Sequence, residues 1–167
     1  TKDMFVPFNE LPDESRLWIY QAARKLSDEE QQLIIKNGKA FIDQWTTHGQ
    51  PLLGSCQVRD GFFIILAVDD RQLPSGCSID ASVGLIRKLG EILRMDLFDR
   101  TQVPLWVEEK VITTPLKELK EGMKQGDIAP DTLLINTLVS QKEGLNDWMV
   151  PIRDSWLKRY LPQPQEN

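Results

Sequence analysis

Long apolar runs, clustered basic charge, metal-ligand spacings and phosphate loops are all missing from this 167-residue chain. The longest apolar stretch, Phe62 to Val68, is far too short to span a bilayer, and no basic segment followed by an apolar one opens the chain. Lysine and arginine number 20 against 25 acidic residues, a formal charge of −5, and the basic residues are spread out. That leaves no footprint for a phosphate backbone, so a nucleic-acid partner is not expected. Two cysteines, Cys56 and Cys77, and one histidine are too few for a disulfide scaffold or for a four-ligand structural zinc site without carboxylates. The spacings G-x-x-x-x-G-K-[ST], G-x-G-x-x-G, G-x-S-x-G and H-E-x-x-H do not occur. No cofactor is therefore expected.

What is present is an ordinary globular composition, 41% hydrophobic and 27% charged, with no low-complexity tract or internal repeat. A chain of this length can bury roughly 70% of the surface its unfolded form exposes, so it needs no staple. One domain over residues 1–167 is expected, with a core over about 16–113 and an extension over about 114–167. Thr1 leaves room for an initiator methionine or a short leader before it. The expected setting is cytoplasmic, with no membrane partner.

Aromatic and β-branched residues make Arg16 to Ala22 a strand. Ser27 and Glu30 fit a capping box, and the helix it opens is expected over Asp28 to Thr47, with Ile34, Phe41 and Trp45 on one face and a glycine cap at Gly49. Asp60-Gly61 joins two β-prone runs and predicts a hairpin. Its second strand is apolar throughout, as suits burial on both faces. Ile79, Val83, Ile86 and Leu93 then mark an amphipathic helix to about Arg94, with Gly90 at a close approach to the sheet. Residues Leu97 to Thr113 read as one or two strands. The order β-α-β-β-α-β predicts an α+β fold with a ferredoxin-like split core. Beyond it, a short helix carries Leu116, Leu119 and Met123, "PDTLLINTLV" suits strand or helix equally, and Ile152, Trp156 and Tyr160 suggest a last helix. The extension is thus expected to be mainly helical.

Alternating chain direction sorts the element ends onto two poles. His48, Cys56, Asp69, Asp70 and Cys77 fall at one pole, Asp99 and Arg100 at the other. A thiol at a helix N-terminus gains thiolate character from the unpaired backbone N–H groups, and a nearby imidazole would complete a nucleophile–base pair, Cys77 with His48. The same loop, "PSGCSID", offers an anion cradle through Ser75, Gly76, Ser78 and Asp80, with Arg71 to offset the neighbouring aspartates. Equally, small residues before a helix are cap chemistry, and a free cysteine is often just a small buried hydrophobe. The aspartates lack the D-x-D-x-D-G spacing of a calcium loop, and no metal is expected. Trp18, Trp45 and Trp156 sit at structural spacing and suggest core packing. "ESRLWIYQ" and "DSWLKRYL" have an amphipathic look that would suit a homodimer interface.

The segments "WIYQAARKLSDEE", "WTTHGQPL", "SGCSIDASV", "LFDR", "IAPDTLLINTLV" and "DSWLKRYL" resemble a family of small bacterial proteins often called ABC transporter ATPases, over nearly the whole chain. The resemblance implies a bacterial protein and, through that family name, nucleotide binding; it brings no catalytic residues with it. The residues themselves suggest a non-enzymatic module that binds a small ligand or a protein partner. The alternatives are a thiol-dependent enzyme using Cys77 and His48, and nucleotide or other anion binding at Ser75 to Asp80.

Overall fold

The computed structural model describes residues 4–47, 49–69, 71 and 74–163. It combines helices with antiparallel sheets, an α+β architecture. The chain divides into two compact units, Thr1–Phe98 with Leu138–Asn146, and Asp99–Thr137 with Asp147–Asn167. The division after Phe98 falls inside the stretch that the sequence suggests as a single core. Among the described residues no helix is long and apolar enough to cross a membrane.

In the first unit, strand β1 (Arg16–Gln21) leads to helix α1 (Asp28–Ile42). Ser27 and Glu30 close the expected capping box: Ser27 Oγ accepts from the Glu30 N–H, and the Glu30 carboxylate accepts from the Ser27 N–H. The helix ends earlier than Thr47. Asp43, its C-terminal cap, turns its carboxylate to the N–H groups of Met4 and Phe5, tying the helix end to the N-terminal segment. Thr46 and Thr47, β-branched and extended, then form a two-residue strand β2 (Thr46–Thr47) paired with β3 (Gln50–Pro51). Gly49, expected as a helix cap, takes its positive φ of 78° in this small turn instead.

Strands β4 (Gly54–Arg59) and β5 (Phe63–Val68) form the hairpin signalled by Asp60-Gly61, both at positive φ (55° and 66°). All six residues of β5 are buried, consistent with its central place in the order β1-β5-β4. Helix α2 (Gly76–Leu93) buries Ser78, Ser82, Leu85, Ile86, Leu89 and Leu93. Ile79 and Val83, expected on that stripe, are only half-buried at its margin, because two small serines occupy the innermost positions of the first turns. Arg94 closes the helix in the left-handed conformation, φ 56°. A Cβ on Gly90 would lie 2.8 Å from the Met95 carbonyl oxygen, so the close approach is to the following turn and not to the sheet.

The sheet order departs from the ferredoxin-like expectation. The strand that would complete the first sheet, β6 (Gln102–Val107), lies in the second unit, where it pairs with β7 (Lys110–Pro115) and β8 (Leu133–Ile135). The free edge of β1 is taken by a returning strap, residues 138–146: the Leu17 N–H donates to Ser140 O (2.9 Å) and Arg16 bridges Gln141. Lys142 fastens the strap, its ammonium donating to Leu11 O at 2.6 Å and Asn9 O at 3.2 Å.

In the second unit, helix α3 (Leu116–Lys124) packs on a sheet ordered β7-β6-β8-β9, the last strand being β9 (Met149–Pro151). Val103, Leu105, Leu119, Met123, Leu134, Ile152 and Leu157 form its core. The extension is not mainly helical. "PDTLLINTLV" supplies β8, and the expected last helix is two short 3₁₀ turns, Ile152–Asp154 and Lys158–Tyr160. Ser155 breaks it, in extended conformation, with Oγ donating to Ile152 O and accepting from the Leu157 N–H. Trp156 is consequently 40% exposed and not a core residue.

Candidate functional site

The start of α2 and the loop after α1 meet in a cleft of about 410 Å³. Phe41 and Trp45 give it an apolar wall; Gln44, Thr46, Ser75 and Cys77 add polar groups and a thiol. Trp45 is held in place by its indole N–H, which donates to Ser78 O at 2.8 Å, and by ring contacts with Phe41 and Trp18. Packing and hydrogen bonding thus fix one wall before any ligand arrives.

Ser75 is the N-terminal cap of α2. Its Oγ accepts from the Ser78 N–H (3.2 Å), while the Ser78 hydroxyl donates back to Ser75 O (2.7 Å). This reciprocal pair consumes the Ser78 N–H and hydroxyl, so Ser78, buried, is cap chemistry and not a free anion donor. The N–H groups of Gly76 and Cys77 have no partner among the described residues, and the Cys77 side chain stands exposed beside them. Asp80 is exposed, beyond the first turn of α2, and does not line the cleft.

Arg71 does not serve as a spare cation. Its Nε lies 3.0 Å from both carboxylate oxygens of Asp69, and its backbone N–H donates to Asp69 Oδ1, also at 3.0 Å. The Arg71 side-chain hydrogen bonds, partly opposed by burial, hold the Asp69 carboxyl below the ordinary range. This pair, just after β5, also removes Asp69 from any cation site. Among the described residues no group of three or more His, Cys, Asp or Glu could hold a metal ion. His48 and Asp70 lie outside the described residues, so the Cys77–His48 pairing has no geometry here.

Cys56 does not join this pole. Its thiol is buried under α1 against Gly38, and burial pushes its pKa up to about 12. Of the site residues singled out from sequence, the fold brings Ser75, Cys77 and Ser78 to one cleft and leaves Gly76, Asp80 and the Asp69–Arg71 pair off its wall. Phe41, Gln44, Trp45 and Thr46 were legible only as part of a long helix; the extended Thr46-Thr47 pair before Gly49 was the signal that the helix stops short.

Comparison with protein-family models, with curated proteins and with solved structures gave no match.

Proposed function

We propose that the first unit is a binding module whose cleft at the start of α2 takes a small, partly apolar ligand. The observation that carries this reading is the convergence of Phe41 and Trp45 with Ser75 and Cys77 around one concavity of about 410 Å³, a size suited to a small molecule. The aromatic wall would cover a ligand's apolar part, and the N–H group of Cys77 would donate to a carbonyl or carboxylate oxygen. An exposed free thiol suits a reducing, cytoplasmic setting. Amide NMR titration with small aromatic carboxylates and amides tests the reading: shifts should cluster at residues 41–47 and 75–81, and Thr46→Trp, which fills the cleft, should abolish them. Shifts scattered over the surface, or none, would sink it.

A second reading is supported by the exposed position of Cys77 beside unpaired N–H groups: a thiol-dependent enzyme with Cys77 as nucleophile. Alkylation by iodoacetamide across pH decides it. Cys56 is buried, and burial pushes its thiol pKa up, so alkylation of the native protein reads Cys77. An apparent pKa well below the ordinary thiol value of about 8.5, rising in His48→Ala, supports an enzyme; an ordinary thiol returns the site to ligand binding. Nucleotide binding is the third reading, and it requires thermal stabilisation by ATP with Mg²⁺. With no phosphate loop and with Arg71 engaged by Asp69, we expect no shift.

A further inference from the structure

A second groove, about 640 Å³, lies between α1 and β4, the edge strand of the first sheet. Ile35 and Val58 form its apolar floor, Gln31 and Gln57 border it, and its two charged lining residues, Lys36 and Lys39, are both cationic. Neither lysine is in an ion pair among the described residues, although the chain as a whole is acidic.

The backbone of β4 adds direction to this surface. The Gly54 N–H donates to Met4 O and Gly54 O accepts from the Val6 N–H, so even-numbered residues of β4 turn their backbone groups outward. Odd-numbered ones turn toward β5, as the bonds of Leu53 O with the Asp69 N–H and of Arg59 O with the Phe62 N–H show. The N-terminal segment leaves the β4 ladder at Pro7, which has no N–H and leads into the 3₁₀ turn Phe8–Glu10, a turn that still packs near β4. Val58 therefore presents an N–H and a C=O outward with no partner among the described residues. Gln31 to Lys39 spans about 12 Å of helix, the length of about four extended residues.

We propose that this groove takes an extended acidic peptide, which adds to the β4 edge at Val58 and sets the carboxylates of its α1-facing side chains against Lys36 and Lys39. The mode is strand addition: main-chain hydrogen bonds hold the peptide, and side-chain charge selects it. It is independent of the α2 cleft, and neither reading needs the other.

The test is fluorescence anisotropy of fluorescein-labelled Glu-Val-Glu-Val-Glu, with Lys-Val-Lys-Val-Lys as control, together with amide NMR. The acidic peptide should bind at least fivefold more tightly than the basic one, with shifts centred on Val58 and Ile35. In the surface double variant Lys36→Glu/Lys39→Glu, checked for native circular dichroism, that preference should reverse. N-methylating alternate amides of the peptide should weaken binding at least fivefold, which pure charge attraction would not produce. Equal binding of both peptides, shifts away from β4, or indifference to N-methylation overturns the proposal. So does concentration-dependent self-association that protects the Val58 N–H, because a second copy would then be the occupant.

Discussion

The carboxylate of Glu30 serves two structures at once. It accepts from the Ser27 N–H at 2.9 Å, closing the capping box, and from both terminal nitrogens of Arg24 at 2.8 Å. The Arg24 hydrogen bonds, with the Ser27 N–H next, lower its pKa from 4.5 to about 2. A carboxylate depressed on folding contributes stability that is complete above its unfolded pKa and is lost as pH falls through its folded one. Stability should therefore decline between about pH 4.5 and pH 2, and urea midpoints measured across that window should fall less steeply in Glu30→Gln, with Asp69 and Asp99, also depressed, supplying the remainder. Gly38 offers a second single-residue test. Alanine there gains about 1 kcal/mol of helix propensity, but its Cβ would stand 2.8 Å from Cys56 Sγ and 2.9 Å from Cys56 Cβ. Overpacking of this kind costs about 1–3 kcal/mol, so Gly38→Ala should be destabilising in urea titration, and Cys56→Ala should restore part of the loss.

At the scale of the element, the β6–β7 hairpin turns through Glu108 and Glu109, at φ 51° and 63°. Each left-handed non-glycine residue costs roughly 1–2 kcal/mol, and here two like charges are adjacent. Glu108→Asn/Glu109→Gly supplies the residues this turn favours and should raise the melting temperature by about 2–4 °C per kcal/mol gained; an unchanged midpoint would contradict the strain. This turn also shows why some elements were readable and others were not. The β4–β5 hairpin carried its Asp60-Gly61 signature, Ser27 and Glu30 announced α1, and the small residues of "PSGCSID" marked the start of α2, although the cap is Ser75 and not Ser78 or Asp80. Glu108-Glu109 carries no turn signal, and the β2–β3 pair is too short to show a period. Pairing partners left no local trace at all. The strand periods of β6 and β1 suit one sheet as well as two, and in the fold it is the strap that occupies that edge of β1. The cleft was half visible for the same reason: the cap residues Ser75 to Ser78 are a local pattern, while Trp45 reaches them through a hydrogen bond 33 residues away in sequence.

At the scale of the molecule, the chain crosses between its units three times, after Phe98, at Thr137–Leu138 and at Asn146–Asp147. The middle excursion is the strap, and Lys142 is its fastening. Removing that ammonium leaves the Leu11 and Asn9 carbonyls without their charged donor, a loss of about 1–2 kcal/mol. Lys142→Met should lower the urea midpoint and speed hydrogen exchange of the Leu17 N–H, whose acceptor Ser140 lies on the strap. Exchange at Leu17 that matches the parent protein would show that the strap holds without its lysine.

The strap also sets a timetable for synthesis. Leu11 and Lys142 are separated by 131 positions in the chain, which at about 5–20 residues per second means roughly 7–26 s between their translation. Throughout that interval the nascent β1 has an open backbone edge, and the charge of Arg16 at its first position is the local guard against pairing with a neighbouring chain. Slow codons or a pause anywhere between β1 and the strap would lengthen the exposure, so the yield of folded protein should depend on the pace of translation from residue 22 to residue 138.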